Sequence, residues 1–186
     1  MKKTVLAAVA VALSVAAGEA KAQFSIPLSV EGRLDYAVPV GDFDDLADEG
    51  TSWGAGVSLG ITPAIGIYGT YSQTTFQVAG FKDLDLEDNG FSAGLTAALP
   101  SVSELSPWVG AGVVKHELAF EGDDGGADEK LGFEVGGGLA IPVSANIRLT
   151  PAIGYRQYGM DVGALPGTAE FDVSYFTAGV GVNFSF

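Results

Sequence analysis

The side chains able to do chemistry are few. His116 is the single histidine in 186 residues, and cysteine is absent, which excludes disulfides and cysteine metal sites. Glu117 and Leu118 follow His116, so no serine stands beside it. Without a nucleophile next to a base, an acyl-transfer site cannot be built, and enzymatic activity is not expected. Glu31, Arg33, Asp35, Glu134, Arg148 and Arg156 lie in phase with small residues on alternating segments. If that face is enclosed, the charges must pair, because an isolated buried one costs several kcal/mol. An internal salt-bridge network is the structural expectation, and a gate or ion path is the functional one. Two acidic runs, Asp42, Asp44, Asp45, Asp48, Glu49 and Glu121, Asp123, Asp124, Asp128, Glu129, could hold Ca²⁺ but lack the spacing of a calcium loop. They read better as solvated loops, and neither metal nor cofactor is expected. The pairs Gly54/Gly56, Gly110/Gly112 and Gly136/Gly138 precede no helix and are not nucleotide loops.

The elements that position these groups begin after an address segment. Lys2 and Lys3, an apolar run over 5–17 and the small-x-small site Ala20-Lys21-Ala22 form a secretory signal pattern. A spanning helix needs about 20 apolar residues, and this run stops at Gly18-Glu19. Cleavage after Ala22 leaves 23–186 as one domain. Every later apolar run is broken within about ten residues, so a membrane would have to be crossed by strands. The net charge of −14 argues against nucleic acid, which wants clustered Lys and Arg.

The mature chain alternates with period two in eight stretches, near 27–40, 53–62, 64–78, 90–99, 107–120, 130–141, 147–160 and 171–186. Leu34, Trp53, Ile67, Phe91, Val135, Ile153 and Val180 represent the apolar face, and Gly, Ser, Thr and Ala dominate the other. The fifth stretch changes phase, because Val109, Ala111 and Val113 give way to Val114, Leu118 and Phe120; a bulge near 113–114 would reconcile them. A soluble barrel would carry a charged outer face, whereas only three lysines follow the signal segment. Small residues suit the narrow lumen of an eight-stranded barrel. The expected fold is therefore all-β: a closed, antiparallel, up-and-down transmembrane barrel of eight strands.

The links fall into two alternating classes. Those at 62–64, 100–106 and 142–146 are short and Pro-marked, whereas 41–52, 79–89, 121–129 and 161–170 are longer and acidic. The long links and their adjoining residues hold 17 of the 23 acidic residues. Long loops face outside in such barrels, so the acids belong to the extracellular end. Tyr36, Trp53, Tyr71, Phe91, Phe133, Tyr155 and Phe176 lie just below them in outward phase and form an expected aromatic girdle. Trp108, Phe184 and Phe186 are assigned to the opposite girdle.

The ending Val180, Val182, Phe184, Phe186 at alternate positions resembles the C-terminal signature of bacterial outer-membrane proteins, which implies recognition by the barrel-assembly machinery. The run Pro107-Trp108-Val109-Gly110-Ala111-Gly112 is similar to a strand of the small OmpA-like, OmpX-like and opacity-protein barrels. No periplasmic domain is expected after Phe186. A barrel-type lipid A deacylase also resembles this size class, but the His-x-Ser spacing of that family is missing at His116. The resemblance implies an outer-membrane location in a Gram-negative cell, with lipid and lipopolysaccharide as surroundings. It also implies a structural or surface-interaction role (adhesin, antigen or envelope integrity) with a host or extracellular ligand. A small-solute or ion channel is the alternative, and an outer-membrane lipid-modifying enzyme is a more distant one.

Overall fold

A computed structural model describes residues 27–120, 128–129, 131–161 and 170–186. The signal segment, and most of the two acidic links at 121–129 and 161–170, lie outside the described residues.

The strands are β1 (Leu28–Pro39), β2 (Ala47–Gly60), β3 (Ile65–Val78), β4 (Phe81–Ala98), β5 (Ser106–Phe120), β6 (Asp128–Glu129), β7 (Leu131–Pro142), β8 (Ile147–Asp161) and β9 (Glu170–Ser185). Eight of them run in the order β8-β7-β5-β4-β3-β2-β1-β9, and β9 pairs back onto β8. The two-residue β6 continues the β7 side beside the top of β8. Every pairing is antiparallel, and the ring closes through Val30↔Phe184 and Leu149↔Val182. Closure leaves the eight-stranded wall without a free edge, which lipid demands because no water can satisfy an edge there. The fold is the expected closed eight-stranded transmembrane barrel.

Alternation sets the two faces. Leu34, Phe91, Ile153 and Leu131 are among the large apolar residues left exposed on the outside, while Asp35, Ser92, Thr150 and Tyr175 point inward. In water so much exposed apolar surface would drive association; in a bilayer it is solvated.

Three sequence expectations need correction. β5 has no bulge: it pairs with β4 and β7 in unbroken register. Val114, His116 and Leu118 therefore share the inward phase of Gly110 and Gly112 and are buried. The apolar outer residues of the lower strand and the apolar inner residues of the upper strand look like a phase change only when all apolar residues are assumed to face lipid. The link at 79–89 is mostly strand. Its turn is the pair Ala79-Gly80, where Gly80 takes the positive φ (81°) that a side chain would resist, and β4 starts at Phe81. Likewise β2 starts at Ala47, after a short 3₁₀ turn at Gly41–Phe43, well before the expected residue 53. β4 spans 18 residues. A crossing needs about 9–11, so the wall continues beyond the membrane at its long-link end. Trp108 is the third correction. It shares the phase of Gly110 and Gly112 and lines the lumen, so it is not part of a lower outer girdle, whereas Phe184 and Phe186 are exposed.

Candidate functional site

The lumen divides into two halves. In the half beneath the 3₁₀ turn, Phe43, Phe76, Leu86, Val114, Leu118, Tyr158, Met160, Val173 and Tyr175 form a buried cluster inside the barrel. Phe43 descends from the turn and meets Phe76 edge-on, ring centroids 5.1 Å apart, and Phe76 meets Tyr175 at 5.2 Å. Edge-to-face rings of this kind fill space rigidly. The other half, next to the short turns, is an open cavity of about 590 Å³, on whose wall Gly, Ser and Thr stand beside the charged side chains of Glu31, Arg33, Glu134 and Arg156.

A chain of polar groups joins the halves. His116 Nδ1 lies 2.7 Å from one oxygen of Asp88, and the Tyr175 hydroxyl donates to the other at 2.5 Å. Arg156 Nη1 donates to the Tyr175 oxygen (2.8 Å) and to Ser72 Oγ (3.1 Å), and its Nη2 donates to Glu134 Oε2 at 2.9 Å. The Tyr68 hydroxyl donates to Glu134 Oε1 at 2.7 Å. Tyr68 can reach across because Gly94 and Gly112 leave its path open: a Cβ at Gly112 would collide with the tyrosine hydroxyl. Asp88 and His116 are both fully enclosed. A carboxylate at that depth needs all of these partners, since an unpaired buried charge is strongly destabilising.

A second cluster sits lower, on β1. Arg33 Nη2 donates to Asp35 (2.6 Å) and Nη1 to Glu31 (3.2 Å), while Thr150 Oγ1 donates to the other Glu31 oxygen at 3.0 Å. Five of the six charges singled out in the sequence thus fall into two separate clusters, Glu31-Arg33-Asp35 and Glu134-Arg156. Arg148 belongs to neither. It is exposed at the lower mouth and donates to Ser185 Oγ at 3.1 Å. Its position only eight residues below Arg156 on the same strand face puts it near the turns, out of reach of Glu134.

Sequence reasoning passed over Tyr68, Asp88, His116 and Tyr175 as members of the network. Their contacts span up to 87 residues of chain. A signal existed for two of them: Asp88 keeps the inward phase of Gly90 and Ser92, and His116 that of Gly112 and Val114. His116 Nε2 and the Tyr158 hydroxyl are buried without a hydrogen-bond partner among the described residues, and the two rings meet at a tilt of 40°, centroids 5.8 Å apart.

On the outside, Trp53, Tyr71 and Phe91 touch in series (5.8 and 5.1 Å), as do Phe133, Tyr155 and Phe176 (6.0 and 5.1 Å). Tyr36 is exposed at the same level. Lys115 of β5 stands between the two arcs, opposite Phe91. Val180, Val182, Phe184 and Phe186 are exposed along β9, the strand that closes the ring. Among the described residues no group of three or more His, Asp or Glu could hold a metal ion.

The family model of the outer membrane protein β-barrel domain matches residues 4–184. The chain belongs to that family. It is an outer-membrane barrel, and solved barrels share its fold at low identity. Neisserial surface protein A superposes with a TM-score of 0.66 at 16% identity, covering 86% of this chain and 97% of that one. OprG from Pseudomonas aeruginosa gives 0.59 at 13%, covering 87% and 96%. Ail, the attachment invasion locus protein of Yersinia pestis, in complex with the heparin analogue sucrose octasulfate, gives 0.53 at 15%, covering 87% and 100%. No curated protein sequence matches the chain. The shared fold places this barrel among outer-membrane proteins without assigning it a ligand.

Proposed function

We propose that this barrel is a structural and surface-interaction protein of the outer membrane whose lumen is sealed at the extracellular end. The aromatic cluster around Phe43, Phe76 and Tyr175 carries the reading, because it fills the outer half of the lumen. An eight-stranded barrel has room only for its own side chains there. A through-going solute channel would require that cluster to move. The working surface is then the rim. Asp42, Asp44, Asp45, Asp48 and Glu49 are exposed at that end, whereas Glu104 is the acid of the turns at the other. Such a rim favours a cationic partner or divalent-ion bridging to lipopolysaccharide. The aromatic arcs set the outer membrane boundary beneath it, and Phe186 with the alternating residues before it serves recognition by the assembly machinery.

Protease shaving of intact cells with mass mapping of the released peptides tests the reading. Cleavage within the exposed 41–46 segment and at the Ala79-Gly80 turn is expected. Release from the turns at 99–105 and 143–146 instead would reverse the orientation and end the proposal.

A further inference from the structure

One seam of the wall has no turn to set its register. Every other pairing in the ring joins two strands connected by a turn or link, whereas β1 and β9 are the first strand and the last. Turn geometry fixes the register of a hairpin, but at this seam only side chains can. Closing so long a loop carries the largest entropy cost in the ring, so the seam forms after the hairpins. The alternation of faces forbids a slip by one residue, which would turn Val180 and Phe184 into the lumen. It allows a slip by two.

The lumen side of the seam carries Glu31, Arg33 and Asp35. They are alternate residues of one strand, and Arg33 binds both acids: Asp35 through Nε (2.8 Å) and Nη2 (2.6 Å), Glu31 through Nη1 (3.2 Å). All these partners lie on β1, so the triad needs nothing from β9 to assemble. What it meets on β9 is a pair of glycines. Asp35 stands opposite Gly179 and Arg33 opposite Gly181. Neither position has room for a side chain. A Cβ on Gly179 would collide with the Leu34 carbonyl and Asp35 Oδ1 and come within 2.6 Å of Asp35 Cα. One on Gly181 would strike Thr150 Oγ1 and lie 2.8 Å from Glu31 Oε1. Thr150 is on β8, beyond β9, in register with Gly181. Its hydroxyl donates to Glu31 Oε2 at 3.0 Å, so the triad reaches across the bare backbone of β9 to the next strand. On the same face, the residues that flank the two glycines are Thr177 and Asn183.

We propose that the Glu31-Arg33-Asp35 triad is a register lock for ring closure, seating over Gly179 and Gly181 at one alignment of β1 and β9 only. Sliding β9 by two residues one way puts Thr177 opposite Asp35, and sliding it the other way puts Asn183 opposite Arg33. Each slip drives a side chain under the triad where the native alignment has bare backbone. The second slip also carries Thr150 a further ~7 Å along the strand from Glu31. The charges of the lower cavity thus choose among closed rings that differ in stagger. This role is separate from the rim and needs no ligand.

Disulfide trapping tests the lock. The chain has no cysteine, so an introduced pair is read without background. Phe186 N–H donates to Leu28 O, which makes the next level, Ser29↔Ser185, an open pair. The Cα atoms of such a pair are about 4.5 Å apart, within disulfide range, whereas the diagonal neighbour Asn183 is out of range. The slip that sets Thr177 opposite Asp35 sets Asn183 opposite Ser29. The full chain carrying Ser29→Cys with Ser185→Cys, or Ser29→Cys with Asn183→Cys, is refolded into phospholipid vesicles and oxidised. With the triad intact, the 29–185 bond is expected and the 29–183 bond is not. In the triple variant Glu31→Ala, Arg33→Ala, Asp35→Ala, the 29–185 yield should fall several-fold and the 29–183 bond should appear. Arg33→Met leaves the two acids without their common partner. It should act in the same direction, and it carries the test if the triple variant fails to fold. A 29–185 yield equal to that of the intact triad, with no 29–183 bond, in whichever variant folds would overturn the lock. So would a 29–183 bond formed by the chain with its triad intact. Failure of both variants to close would make the triad a requirement of the fold and not a selector of register, which overturns it too.

Discussion

The two halves of one lumen are built from the same strands and on the same alternation, yet they differ in every physical respect. The outer half is packed with aromatic side chains, and a hydrogen-bonded chain runs from its His116 down to Glu134. The lower half is open and rich in small residues, with the Arg33 cluster of β1 on its wall and the Arg156–Glu134 pair at its upper end. The difference shows that an eight-stranded barrel does not need its whole lumen packed. The wall is held by its ladder down to the short turns, interrupted only between β7 and β8 beside Pro151 among the described pairings, while side-chain packing is concentrated where the strands rise out of the membrane and lose the lipid that would otherwise support them.

That contrast predicts a gradient of mutational cost. Asp88→Ala should be the most damaging change, since it strands His116 and removes the acceptor of the Tyr175 hydroxyl. A loss of about 3–5 kcal/mol is expected in thermal or denaturant unfolding in detergent. Phe76→Ala, which empties the centre of the aromatic cluster, should cost about 3 kcal/mol in the same assay. Arg33→Met leaves Glu31 and Asp35 facing each other, but beside an open cavity that water can enter, so a smaller loss of about 1–3 kcal/mol is expected. Ser58→Ala removes the partner of Ser29 Oγ at 2.7 Å in the open half and should change stability by no more than about 0.5 kcal/mol. Equal costs for Asp88→Ala and Ser58→Ala would abolish the distinction between the halves. A cost for Arg33→Met as large as that for Asp88→Ala would move the structural centre down to β1.

The barrel was legible in the sequence because its signal is local. Leu34 against Asp35, Phe91 against Ser92 and Val180 against Gly181 each announce two faces within adjacent residues, and lipid enforces the same rule along every strand. The upper wall was less legible. Glu87 and Asp88 look like loop residues, because acids are rare in strands, and only their phase with Gly90 marks them as ladder members. The apparent slip at Val113 and Val114 arose for the converse reason: above the membrane the inner face becomes apolar, and hydrophobicity alone no longer tells in from out. Arg148 and Arg156 share a strand face and looked equivalent. Their height along β8, fixed by pairing with Pro142 and Glu134, separates a residue of the lower mouth from an interior one. The network through Asp88 and Tyr175 joins strands distant in sequence, and nothing local at either residue discloses the other.

Single-channel recording of the purified protein in planar bilayers tests the sealed outer half most directly. The native chain should give no steady conductance, and the double variant Phe76→Ala, Tyr175→Ala should open one. Steady, open-pore conductance by the native chain, unchanged when those two rings are removed, would contradict the seal.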